Sequence, residues 1–326
     1  MNAATITRIL QSRAVAVFIA CVCSVACWWA FHSNVVVDIT GDRGLALTSP
    51  NHWIDSPTAS MWTGIGLTLA CALLMIVLNS TFNFIRSISA IYASVFILMQ
   101  TASPDIAVQL YGGTVLAFTS LLCTIMLFSC YNGSGGNRRI FLIFFLLSLG
   151  GTCLYSFIYL IPVFFIGLLQ MRILSLRTFV VALLGLLTPI WILCGFGIIS
   201  IDSLRIPQFT SIFTSIDTGE ALHLVFIVAV TAAIGIGSWA LNFTKLIAYN
   251  ARNRAFNGFI AILTVASLLM MLVDYSNILC YLPLFNICAA FQAGHFIAVR
   301  QRAYGYISIC CLWAIYISFY LWRMLV

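Results

Sequence analysis

Between His32 and Asp55 the chain carries three carboxylates (Asp38, Asp42 and Asp55), two histidines (His32 and His52) and one arginine, Arg43. A second polar stretch, 200–222, holds Asp202, Arg205, Asp217 and Glu220, with His223 just beyond it. Together they account for six of the eight acids and three of the four histidines, so ionic chemistry, if there is any, belongs here. A carboxylate can take a proton from a hydroxyl or bind a divalent cation. An arginine can hold a phosphate through paired, charge-assisted hydrogen bonds. Asp38 and Asp42 are therefore the catalytic candidates, as base or metal ligand. Arg43, Arg205, His52 and Asp55 are the candidates for binding a substrate. Metal ligation by the histidines is not expected, because polar loop histidines are ordinarily solvated, and no metal site is assigned.

A membrane must position these stretches. Of 326 residues, 63% are hydrophobic and 7% are charged, and the mean hydropathy is +1.09. Soluble domains carry about 25% charged residues. Apolar runs long enough to span roughly 30 Å of hydrocarbon as helices recur along the chain. They are apolar all round, whereas the strands of a membrane barrel alternate with period two. The expected fold is all-α: one polytopic transmembrane bundle over 1–326. Its outer loops are at about 32–60 and 200–222, and a Gly/Ser linker lies at about 131–139. The net charge of +7 marks helix ends rather than a nucleic-acid surface, so membrane lipids and not nucleic acid are the expected partners. Most of the 12 cysteines fall inside apolar runs and there is no CxxC pair, which suits small hydrophobes better than disulfides. Arg8 and Arg13 followed by an apolar run resemble a secretory signal, but the run continues through Trp28, Trp29 and Phe31 and is taken as an uncleaved first helix.

Eleven runs are expected to span, near 14–31, 61–79, 87–102, 109–130, 140–153, 157–170, 178–199, 222–244, 256–273, 278–297 and 303–322. With the N-terminus inside and the C-terminus outside, 12 of the 15 basic residues fall inside, all but Arg43, Arg205 and Arg323. All eight acids, Asp105 and Asp274 included, then fall outside. The uncharged stretch between Arg139 and Arg172 would make a single helix of about 48 Å, too long for one span, and it would put one arginine cluster on the wrong side. It must turn, and Gly150 and Gly151 are the expected place. Each arm is short, so nine spans plus a re-entrant hairpin at 140–170 is the alternative. Pro189 and Pro283 are expected to kink their helices. Gly113 with Ala117, Ala233 with Gly237, and Ala289 with Ala293 permit close helix contact. Trp28, Trp29, Trp53, Trp62, Tyr275, Tyr281 and Trp322 suit an interfacial belt. The membrane-embedded polar residues are Asn242, Thr244, Asn286 and Gln292.

Three functions fit these features, and no motif implies a cofactor. Short loops, few polar side chains and small-residue helix faces suit a non-catalytic membrane subunit or scaffold, partnered by other envelope membrane proteins, and this is the leading expectation. One alternative is an enzyme acting on a lipid-linked, polyprenyl-phosphate glycan at the outer face. Multipass glycosyltransferases of that kind carry an acid in the first outer loop, where Asp38 and Asp42 stand. The other is a transporter or flippase built around broken helices.

Two segments carry a resemblance. The first is Arg86-Ser-Ile-Ser-Ala-Ile-Tyr through Gln100-Thr-Ala-Ser-Pro104. The second, after the hairpin, is Ser175-Leu-Arg-Thr-Phe through Gly185-Leu-Leu-Thr-Pro189, with a later Leu282-Pro283. In this order of features the chain resembles a multipass family of Bacteroidetes known as a domain of unknown function. A common form of that family has an acid and a tryptophan right after the helix-initial arginine. Thr178 and Phe179 follow Arg177 here. The resemblance implies a bacterial inner (cytoplasmic) membrane and a role in the cell envelope, and it supplies no catalytic residues.

Overall fold

A computed structural model describes residues 9–33, 44–85, 90–133, 136–199, 220–246, 249–299 and 305–325. Among these residues the regular structure is helical, without strands. We number the α-helices α1 (Arg13–His32), α2 (Pro57–Phe82), α3 (Ile91–Thr101), α4 (Pro104–Ala107), α5 (Gly112–Phe128), α6 (Gly136–Cys153), α7 (Ser156–Gln170), α8 (Leu176–Gly195), α9 (Glu220–Leu246), α10 (Ala251–Val273), α11 (Ile278–Val299) and α12 (Gly305–Leu325). Each of the eleven expected runs carries a helix, and α4 is additional. Seven helices (α1, α2 and α8–α12) are long and apolar enough to cross a membrane. The other five, α3–α7, are shorter or more polar.

Local signals set the helix ends. The Ser12 hydroxyl accepts from Val15 N at the start of α1. Asn83, in the left-handed region at φ 45°, closes α2. Ser175 and Thr178 form a reciprocal capping box at the start of α8. Pro162, Pro189 and Pro283 all sit inside continuous helices.

The bundle is built around α11. Its apolar window is 94% buried, against 50% or less for the other six long helices. It packs against α3, α5, α9, α10 and α12. Outside these, α1 and α2 lie on α3, α6 and α7 lie on α5, and α8 rests on α6. Small residues bring the central helices together. A Cβ on Gly113 of α5 would lie 2.5 Å from the Cys280 carbonyl oxygen of α11, and one on Gly294 would lie 2.7 Å from Tyr92 Cβ of α3. Ala289 and Ala293 are buried as expected. The expected contact at Ala233 and Gly237 is different: Ala233 is exposed, Gly237 faces open space, and Gly235 is the residue that meets Ala289.

The helices alternate in direction, which separates charge by end. At one end the Gln11 carbonyl accepts from Ala90 N, Met171 O from Asn132 N, and Phe84 O from Asn257 Nδ2. Arg13, Arg138, Arg139, Arg172, Arg177, Arg252 and Arg254 lie here, with the Arg252 guanidinium 5.3 Å over the Phe256 ring. At the other end Ser60 Oγ accepts from Leu110 N, Asn51 Oδ1 accepts from Gly112 N, and Ser156 Oγ meets Cys280 Sγ. Asp55, Asp105, Asp274 and Arg323 lie here.

The stretch between Arg139 and Arg172 goes out and returns to the same end, as its flanking arginines require. The turn, however, is at Leu154–Tyr155 rather than at the glycines. Gly150 and Gly151 close α6 as helical residues. Their missing Cβ atoms admit the first residues of α7: a Cβ on Gly150 would lie 2.5 Å from Phe157 Cδ1, and one on Gly151 2.8 Å from Ile158 Cγ1. The glycines supply close approach, not an unusual backbone angle. Substituting Gly150 by Leu is expected to splay the α6–α7 hairpin and cost about 1–3 kcal/mol, read by thermal unfolding in detergent. The last carbonyls of α6 are capped by the segment between α1 and α2: Leu45 N donates to Gly151 O, and Ala46 N and Leu47 N donate to Thr152 O.

Candidate functional site

The six residues expected to form an outer-face site fare differently. Asp38, Asp42, Arg43 and Arg205 lie outside the described residues. His52 ends a short 3-10 helix, Pro50–His52, and is exposed, and Asp55 is exposed just before α2. Neither side chain bonds to another described side chain. Among the described residues, no group of three metal-ligating side chains comes together. Of the other three histidines, His32 Nδ1 lies 2.9 Å from the Trp28 carbonyl of its own helix, and the remaining two join separate parts of the chain. His223 Nε2 lies 3.0 Å from the Phe319 carbonyl, with its ring against Trp322, and His295 Nε2 lies 3.1 Å from Tyr249 Oη.

The unusual chemistry is inside, at α3. This helix has 11 residues and rises only about 16 Å, roughly half a bilayer core. Ala102 and Ser103 leave the helix, Pro104 removes a backbone donor, and α4 follows as a single turn before Tyr111. The break lies beside the middle of α2, because Thr101 and Thr68 share a small pocket with Cys23 and Cys27 of α1. Its free volume of about 10 Å³ is room for about one water. On the other side of the break, Gln100 faces Asn286 of α11, both fully buried, with Asn286 Nδ2 donating to Gln100 Oε1 at 3.4 Å.

This pairing leaves much unsatisfied. Thr68 Oγ1, Gln100 Nε2, Ser103 Oγ and Asn286 Oδ1 are buried with no hydrogen-bond partner among the described residues. Each such group costs about 1–3 kcal/mol, and apolar side chains of the same shape would avoid the cost. Four of them around one helix break mark a place kept polar for a reason other than stability. Of these residues, only Asn286 stands out in the sequence as an embedded polar group. Gln100-Thr-Ala-Ser-Pro104 signals the break, but it reads equally well as the end of an ordinary span.

Two buried acids stand on the loop side of this break. Asp105, expected in an outer loop, is 5% exposed. It is held by Arg323 of α12 through Nη2 to Oδ1 at 3.0 Å and Nε to Oδ2 at 3.3 Å. A proline-started turn folds the chain back into the bundle here, so a charge that the apolar pattern places outside is carried inward with its partner. Asp274 closes α10 and accepts from Asn277 Nδ2 on both oxygens and from Tyr281 Oη. Tyr281, expected at the membrane interface, is fully buried because that hydroxyl has an internal acceptor. Asn242 Nδ2 bonds to the Gln292 carbonyl, which ties α9 to α11.

No family model, no curated protein and no solved structure matches this chain.

Proposed function

We propose that the chain is a multipass protein of a bacterial inner membrane, with the N-terminus inside, and that it passes a small uncharged polar solute through the break in α3. The observation that carries this reading is the set of four unpartnered polar atoms at the broken helix. Irregular backbone at such a depth is tolerated where it is enclosed in protein or lines a wet path, and transporters place their sites at such breaks. The described groups at the break are amides, hydroxyls and thiols without charge, which favours a neutral ligand with several hydrogen-bonding groups. Charge distribution supports the orientation: the arginine-rich end faces the cytoplasm. The bacterial inner membrane and envelope setting rest on the family resemblance.

A second reading, the non-catalytic subunit, has one observation in its favour. α8 rests on α6, and Leu176, Trp191 and Phe196 stand 83%, 77% and 80% exposed. That face suits a partner helix as well as it suits lipid. The glycan-enzyme reading draws on Asp38, Asp42, Arg43 and Arg205 and gains no support from the placement of His52 and Asp55.

Native Cys27 reports on the first reading, because it lines the pocket at the break and is 5% exposed at rest. In sealed vesicles, a membrane-impermeant maleimide should label Cys27 slowly in the folded protein, from one face, as peptide mass spectrometry can resolve. A solute that occupies the site should slow the labelling. A scaffold with a fixed core would leave Cys27 unlabelled until detergent unfolds it, and that result would end the transport reading. The pair of substitutions Gln100→Leu and Asn286→Leu removes both amides at once. Stability should hold or rise by about 1–2 kcal/mol, because no polar group is left stranded between them, while Cys27 labelling falls.

A further inference from the structure

At the arginine-rich end, a cleft of about 310 Å³ opens between the linker, the start of α6 and the α7–α8 turn. It is lined by Asn132, Gly133, Asn137, Arg172, Ser175 and Thr178, among others. Arg172 is the residue to explain. It follows the last turn of α7 at φ +59°, where Ile173 N bonds back to Leu168 O and Arg172 N to Leu169 O. Glycine normally fills that position, because a side chain there crowds the carbonyl that follows it. Here an arginine takes it and lends its side chain to the cleft wall.

The surroundings are cationic and polar. With its amide oxygen turned toward α8, Asn137 accepts from Arg177 Nε at 2.8 Å and Nη2 at 3.3 Å. Arg139 Nη1 donates to the Ser129 carbonyl at 3.2 Å. No described carboxylate pairs with Arg138, Arg139, Arg172 or Arg177. α8 also begins at the cleft and turns the positive end of its dipole toward it.

We infer that this cleft binds a phosphate group, with Arg172 as its main contact. A guanidinium matches two phosphate oxygens through paired hydrogen bonds, and the asparagine amides and the Ser175 hydroxyl can serve the remainder, while the Thr178 hydroxyl donates to the Ile173 carbonyl within the capping box. Two sources carry that chemistry at a membrane's inner surface: the headgroup of an anionic phospholipid and a free phosphate. Sidedness alone does not explain the arrangement, because holding a loop inside needs a positive charge but not an arginine in a left-handed backbone. The site is independent of the break in α3, and its test does not depend on transport.

The decisive variant is Arg172→Gly in the full chain. Glycine accepts φ +59° freely, so the unliganded protein should unfold at the same temperature as wild type or higher. Native mass spectrometry from micelles containing phosphatidylglycerol should retain one lipid on the wild-type chain and show about tenfold weaker retention on Arg172→Gly. Arg172→Lys keeps the charge and should fall between them. Millimolar inorganic phosphate reads the other source. A rise in unfolding temperature for wild type but not Arg172→Gly, without selective lipid retention, assigns the site to a free phosphate, and the reverse pattern assigns it to a headgroup. Equal lipid retention and equal thermal shifts in wild type and Arg172→Gly would overturn the site.

Discussion

Arg323→Met should destabilise the folded protein by about 3–5 kcal/mol, the cost typical of removing one partner from a buried ion pair. The pair is two-pronged, and its side chains are only 11% and 7% exposed for Arg323 and Asp105. Removing the guanidinium strands a carboxylate without its partner in a site with little water. The double substitution Asp105→Leu with Arg323→Met should recover most of the loss, because the two desolvation costs disappear together. Unfolding in mixed micelles measures all three proteins. A single substitution costing less than about 1 kcal/mol would show that the pair behaves as an exposed one. Tyr320 Oη donates to the Ala26 carbonyl nearby, so α12 should keep a hold on α1 after the ion pair is lost.

The second large effect is expected at Gly113. A Cβ there would lie 2.5 Å from the oxygen and 2.9 Å from the Cα of Cys280, both backbone atoms that no side-chain rotation can move. Gly113→Ala should therefore push α5 off the central helix and cost about 3 kcal/mol, near the upper end for overpacking. Gly237→Ala is the matched control, since a Cβ there meets nothing within 4 Å. It should be neutral or gain up to about 1 kcal/mol through helix propensity. If the two substitutions behave alike, helix propensity and not close approach governs both.

Much of the architecture is legible in the chain because two strong signals agree. Long apolar runs give the helices, and arginines at alternate ends give their direction. The weaker inferences fail where one residue type serves two purposes. Glycine marks a turn or a close contact, and at Gly150 and Gly151 the contact is what the chain uses. An acid beyond an apolar run marks a loop or a buried pair, and at Asp105 it marks the pair, with a partner 218 residues further on. Tyr281 follows the same pattern, as its aromatic ring suits an interface until Asp274 offers an internal acceptor. The break in α3 is harder still to see, because its polar character depends on side chains from α2, α3 and α11 that meet only in the folded bundle.

The placement of α11 has a consequence for synthesis. The helix at the axis leaves the ribosome only after α1–α10, and it is the least apolar of the seven long helices. Alone in lipid it would expose Asn286, Gln292 and His295 to hydrocarbon. The preceding helices must therefore wait in the bilayer as an arc open on one side. Packing against α3, α9 and α11, α12 then closes the gap. Until that moment the nascent protein has no axis, and its inward faces are open to other membrane chains. A chain cut just before Ile278 would keep most of its length and lose its centre, so late truncation should be cleared by membrane proteases as thoroughly as early truncation.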